Sequence, residues 1–124
     1  MQKEIYVLLI EDSKYDEELI LYHLRKSGIH ASSERVFCEE AMRKALRSRE
    51  WNVILSDHFM PSFDSFEAIS IRNEICPQVP FIIVSSCLEE VMEKSAIEKG
   101  CCACIPKSNL NKLGEIIKEK LNPV

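Results

Sequence analysis

Glycine is scarce in this chain, with three in 124 residues, and proline is modest at five. That composition excludes collagen-like repeats, flexible linkers and low-complexity tails. No apolar run approaches the ~20 residues of a membrane span. The opening MQKEIYVLLIEDSKYDEE turns acidic where a secretion signal would need small residues for cleavage, so a cytoplasmic protein is expected. Basic clusters never exceed two residues. With 16 Lys and Arg against 20 Asp and Glu, a net charge of −4, direct nucleic-acid binding is not expected. What remains is 46% hydrophobic and 29% charged residues, the profile of one globular domain spanning 1–124. A chain of this length buries roughly two-thirds of its unfolded surface, enough for a core without disulfide or metal staples.

The six cysteines are therefore expected to be free thiols acting as small hydrophobes. Cys101-x-x-Cys104 is the one spacing that invites a metal or redox reading. His23, His30 and His58 are scattered without ligand spacing, and the motif runs into Ile105 and Pro106 as a strand instead of opening a helix.

Periodicity supplies the architecture. Glu4–Ile10 (EIYVLLI), Trp51–Ser56 (WNVILS) and Phe81–Ser85 (FIIVS) are short continuous apolar runs, the mark of strands buried on both faces. Ala31–Phe37 and Cys101–Ile105 read as two further strands. Between them, a helix capped by Ser13 carries Tyr15, Leu19 and Tyr22 on one face, with Ile20 and Leu24 beside it, and ends at Gly28. Glu39–Arg49 and Ser65–Glu74 follow as helices. Leu88, Val91, Met92, Ser95 and Ala96 trace another stripe ending at Gly100, and Leu110, Leu113, Ile117 and Leu121 mark the last helix. Five strands alternating with five helices predict a mostly parallel sheet covered on both faces, an open α/β sandwich. These elements use up the chain, so no output domain is expected within it.

In such sheets chemistry gathers outside the carboxyl ends of the strands. Glu11 and Asp12 follow the first strand, Asp57 the third and Lys107 the fifth, while Ser85 closes the fourth. Carboxylates placed together repel unless a hard cation joins them, and oxygen ligands without His or Cys suit Mg2+. A magnesium-dependent phosphate site is expected.

Glu11-Asp12-Ser13, Asp57-x-x-Met60-Pro61, Ser85 and Lys107 at matching strand ends resemble the receiver domain of two-component response regulators, in its single-domain, chemotaxis-regulator-like form. The resemblance covers essentially the whole chain. It implies a flavodoxin-like fold with strand order 2-1-3-4-5 and helices on two faces. It also implies that Asp57 accepts a phosphoryl group from a sensor histidine kinase or a histidine phosphotransfer protein, that Asp12 ligates Mg2+ directly with Glu11 acting through water, and that Asp57 and the backbone carbonyl of Phe59 complete the metal site. Lys107 and Ser85 then contact the phosphoryl group. On this reading the protein is no enzyme toward a separate substrate. Its output passes to an unidentified downstream protein, and a phosphorylation-dependent homodimer is compatible with it.

Three positions depart from the receiver pattern. Ser108 replaces the proline that often follows the lysine, so a trans 107–108 peptide is expected, since a cis non-proline bond costs about 3 kcal/mol. Cys104 replaces the usual aromatic residue, which shifts partner selection to loop 86–90 and the helix over 88–99. Ser65 stands where a glycine is common. The alternative function is a phosphorylation-independent interaction module. A phosphohydrolase is disfavoured because Phe59 occupies the place of a second acid.

Overall fold

The computed structural model describes residues 4–58, 60–86 and 89–121. β1 (Glu4–Ile10), β2 (His30–Val36), β3 (Val53–Ser56), β4 (Phe81–Ser85) and β5 (Ala103–Pro106) form one parallel sheet in the order β2-β1-β3-β4-β5. The helices are α1 (Lys14–Lys26), α2 (Glu39–Ser48), α3 (Ser65–Ile75), α4 (Glu90–Lys99) and α5 (Leu113–Leu121), with a 3-10 helix over Lys107–Lys112 ahead of α5.

Alternation along the strands divides the core. Val7 and Leu9 of β1 face Ile20 and Leu24 of α1 and Leu113 and Ile117 of α5. Leu8 and Ile10 face the other way, toward Met42 and Leu46 of α2 and Ala68 and Ile69 of α3. Each such buried Val, Leu, Ile or Met side chain contributes about 1.5–3 kcal/mol.

Several expected boundaries move for physical reasons. Trp51 lies before β3: its ring is buried and its Nε1–H donates to the Ala45 carbonyl (2.9 Å), closing the end of α2. Asn52 sits beside Tyr6, whose N–H donates to its Oδ1 (2.7 Å). On α1, Ile20 and Leu24 form the buried stripe, whereas Tyr15 is 72% and Tyr22 46% exposed. At about 100° per residue the tyrosines fall on roughly the opposite side of the helix, where their hydroxyls stay in water. On α4 the buried residue is Ala96, while Val91 is 80% exposed; Leu88 lies outside the described residues. β5 begins at Ala103, because the Cys101 N–H turns back to the Ala96 carbonyl (3.0 Å). Cys38, Cys76, Cys101, Cys102 and Cys104 are free thiols, and the Sγ atoms of Cys101 and Cys104 are 3.9 Å apart. Leu110 is buried from the 3-10 turn, so the last amphipathic stripe spans two helix types.

Gly100 ends α4 at φ 123°, a backbone that side chains rarely adopt. Gly114 has a different role: an added Cβ there would run into the Cβ and Oγ of Ser27, at the end of α1. Close approach of α1 and α5 depends on that missing methyl. Gly114→Ala is expected to destabilise the fold by about 1–3 kcal/mol in urea unfolding, with Ser27→Gly in the same chain recovering part of the loss. Unchanged stability would mean that the two helices separate without penalty.

Candidate functional site

Parallel strands end together, and their backbone pairing aligns the residues that follow them. The Asp57 N–H donates to the Ile10 carbonyl (2.9 Å), and the Glu11 N–H to the Val36 carbonyl (3.0 Å). Asp57 is thereby held beside β1, and Glu11 is held between β2 and β3. Ser13 then caps α1, its Oγ accepting from the Asp16 N–H (3.2 Å), and the Ser13 N–H donates to Glu11 Oε1 (3.1 Å). Below the site, the loop after β3 is anchored by the buried side chains of Met60 and Phe63. The Asp64–Glu67 capping box at the start of α3 closes that loop.

These anchors bring the expected residues together. Carboxylate oxygens of Glu11, Asp12 and Asp57 all lie within 4.8 Å of one another. Lys107, at the end of β5, donates from Nζ to Glu11 Oε2 (3.1 Å) and Asp57 Oδ2 (3.2 Å). Ser85 is fully buried at the end of β4, in register with Pro106. Phe59, whose carbonyl was the remaining expected ligand, lies outside the described residues.

Two features were not anticipated. Lys107 makes its shortest contact, 2.7 Å, to Oδ2 of Asp16 on the first turn of α1. An acidic residue at that turn is favourable to the helix dipole in any case, so the sequence carries no separate signal for the ion pair. The second is the contact that Ser65, the residue at a common glycine position, makes: it is buried, its φ is negative, and its Oγ meets His58 Nδ1 at 2.6 Å. The position tolerates a side chain because the helix starts there with ordinary dihedrals. No described peptide bond is cis, including 107–108.

Burial, and the Asp57 charge beside it, push the Glu11 carboxyl up from 4.5 to about 7, against the opposing pull of Lys107 and the Ser13 N–H. Burial pulls the Lys107 ammonium down, but hydrogen bonds to Asp16 and Glu11 and the charges of Glu11 and Asp57 outweigh it, so the net shift is upward. The site is thus a crowded set of carboxylates around one firmly protonated lysine. Its oxygen-only donors suit a hard divalent cation, whose charge would relieve the repulsion that Glu11 registers.

No protein-family model matches the sequence, and no curated protein matches it. Solved structures do. A response regulator receiver domain from Francisella superposes with a TM-score of 0.81 at 18% identity, covering 96% of this chain and 98% of that one. This chain has the receiver-domain fold. A receiver domain protein from Methanospirillum hungatei JF-1 gives a TM-score of 0.81 at 21% identity, with 98% and 96% of the two chains covered. The receiver domain of a sensor histidine kinase from Pseudomonas aeruginosa PAO1, with a magnesium ion coordinated in its active site cleft, gives 0.77 at 19%, covering 96% and 98%. The receiver fold and the strand order expected from the resemblance both hold. No helix among the described residues is long and apolar enough to cross a membrane.

The raised Glu11 pKa has a signed consequence for stability. The folded state holds that proton more tightly than the unfolded state, so ionising Glu11 penalises folding. The penalty is absent below pH 4.5, grows as pH rises toward about 7 and is constant above. Without added metal, wild type is expected to lose stability relative to Glu11→Gln across that window in parallel urea titrations. A constant difference between the two proteins would contradict the crowding described above.

Proposed function

We propose that this protein is a phosphoacceptor signalling protein in which Asp57 receives a phosphoryl group from a histidine kinase or a histidine phosphotransfer protein. The observation that carries this reading is the convergence of Glu11, Asp12, Asp57 and Lys107 at the carboxyl edge of a receiver-fold sheet. No other described group of at least three His, Cys, Asp or Glu side chains has ligand atoms close enough to share a metal ion.

In the proposed reaction an Asp57 carboxylate oxygen attacks phosphorus, the P–O bond forms as the donor's P–N bond breaks, and the electron pair returns to the imidazole nitrogen. Lys107, already 3.2 Å from Asp57, passes one N–H from the carboxylate to a phosphoryl oxygen and so stabilises the charge that the transfer spreads there. Glu11, Asp12 and Asp57 would hold Mg2+, with the Phe59 carbonyl as a further ligand. When bound, the cation neutralises charge on the phosphoryl oxygens. Ser85, buried one strand away, supplies a hydroxyl that hydrogen-bonds the phosphoryl group and draws the following loop toward it. The protein turns over no separate substrate, acts in the cytoplasm, and passes its signal by changed protein contacts. Cys104 stands in place of the usual aromatic reporter, so those contacts fall to loop 86–90 and α4, where Val91 and Ile97 are exposed. A phosphorylation-dependent homodimer through this surface is one form the output can take.

Incubation with Mg2+ and acetyl phosphate is expected to raise the intact mass by one phosphoryl group, with no adduct in Asp57→Asn or with a chelator present. Absence of an adduct from both acetyl phosphate and a phosphohistidine donor would overturn the proposal in favour of a phosphorylation-independent interaction module.

A further inference from the structure

We infer that Asp16 is a positioning residue that reserves Lys107 for the site, so that the lysine and a divalent cation do not compete for the same carboxylates. The inference rests on the metal site of the proposed function and adds a residue to its machinery. A lysine ammonium has three N–H donors, and the three carboxylates facing Lys107 account for all of them: Glu11 at 3.1 Å, Asp57 at 3.2 Å and Asp16 at 2.7 Å. Two of those acceptors belong to the cluster that could hold a cation; Asp16 does not.

That difference matters when a cation arrives. Oxygens of Asp57 that ligate it, and of Glu11 that hold it through water, become poorer acceptors, and an ammonium donating to them sits beside a second positive charge. Asp16 gives Lys107 a carboxylate that the cation leaves alone. The arrangement is built into the backbone: the Ser13 N–H donates to Glu11, and the Ser13 Oγ accepts from the Asp16 N–H, so one cap sets the spacing of both acids. Asp16 is also the most solvated of the three, its side chain 25% exposed against 3% for Glu11 and 9% for Asp57. It therefore stands at the rim of the site, outside the pair that a cation would occupy. Without Asp16 the lysine falls back on Glu11 and Asp57 and becomes a competitor of the metal.

The test is an NMR titration of the full chain with MgCl2 at fixed pH and ionic strength, as a double-mutant cycle. Asp16→Asn is expected to raise the Mg2+ dissociation constant about tenfold while Lys107 is present. In a Lys107→Ala background the same substitution is expected to change it by about twofold at most, as one screened charge does at this range. The Ser13 cap bonds the backbone N–H of residue 16, so the variants keep it, and amide spectra verify the fold. An equal effect in both backgrounds would reduce Asp16 to one more negative charge and overturn the inference. So would unchanged affinity in Asp16→Asn. Wild type failing to bind Mg2+, or binding it as well after Asp57→Asn, would instead overturn the metal site on which both readings stand.

Discussion

One ammonium group holds together three parts of the chain that are far apart in sequence. Lys107 Nζ, at the end of β5, reaches Glu11 beyond β1, Asp16 on α1 and Asp57 beyond β3. Removing Lys107 would leave the carboxylates of Glu11 and Asp57 buried without their counter-charge, which is the severe case for buried ion pairs. Yet one positive charge faces three carboxylates directly, with Asp12 close by. Burial first, and the Asp57 charge beside it, make Glu11 hold its proton toward neutral pH. A fold built only for stability would gain by replacing these groups with apolar ones. Their placement together at the carboxyl ends of the parallel strands, where ligands bind in open α/β sheets, is what gives the cluster its functional meaning.

The rest of the structure serves that edge. β3, β4 and the Val7–Ile10 part of β1 that leads to the site are buried on both faces and form its platform. Glu11 and Asp57 hang from it by backbone hydrogen bonds to the neighbouring strand, so their separation does not depend on side-chain packing. Met60 and Phe63 fasten the loop after Asp57 into the core, and the Asp64 capping box starts α3 at a defined point. On the far side Gly114 lets α5 approach α1, the helix that carries Asp16. By contrast, among the described residues α4 buries only Ala96 and has no side-chain hydrogen bond at its N-cap, so it has fewer buried anchors than the other α-helices. A switch needs such contrast between a rigid edge and a loosely held face.

Much of this could be read before any coordinates. Largely continuous apolar runs, too short for a buried helix, mark β1 and β4 as strands covered on both faces. Glu11 and Asp12 follow the first of these runs and Asp57 the run Trp51–Ser56, while Lys107 comes one residue after the strand read over Cys101–Ile105. Other features stayed hidden for definable reasons. Asp16 looks like any acidic residue on a first helical turn, and only the fold brings Lys107 to it. Tyr15 and Tyr22 suit a buried stripe as well as an exposed one until Ile20 and Leu24 settle how the helix is rotated. Trp51 prolongs an apolar run, but a hydrogen bond to Ala45 pulls it out of the strand. Leu110 keeps the helical spacing of α5 while lying in a 3-10 turn, because a stripe of apolar residues does not distinguish the two helix types.

The central claim is chemical, that the Asp57 carboxylate is the atom group that takes the phosphoryl. Borohydride reduction of the phosphorylated protein converts an aspartyl phosphate to homoserine, and tandem mass spectrometry of the resulting peptides locates it. The account predicts homoserine at position 57 and an unmodified Asp12 and Asp16. Reduction at another acidic residue, or a phosphate that survives borohydride on a serine or histidine, would contradict it.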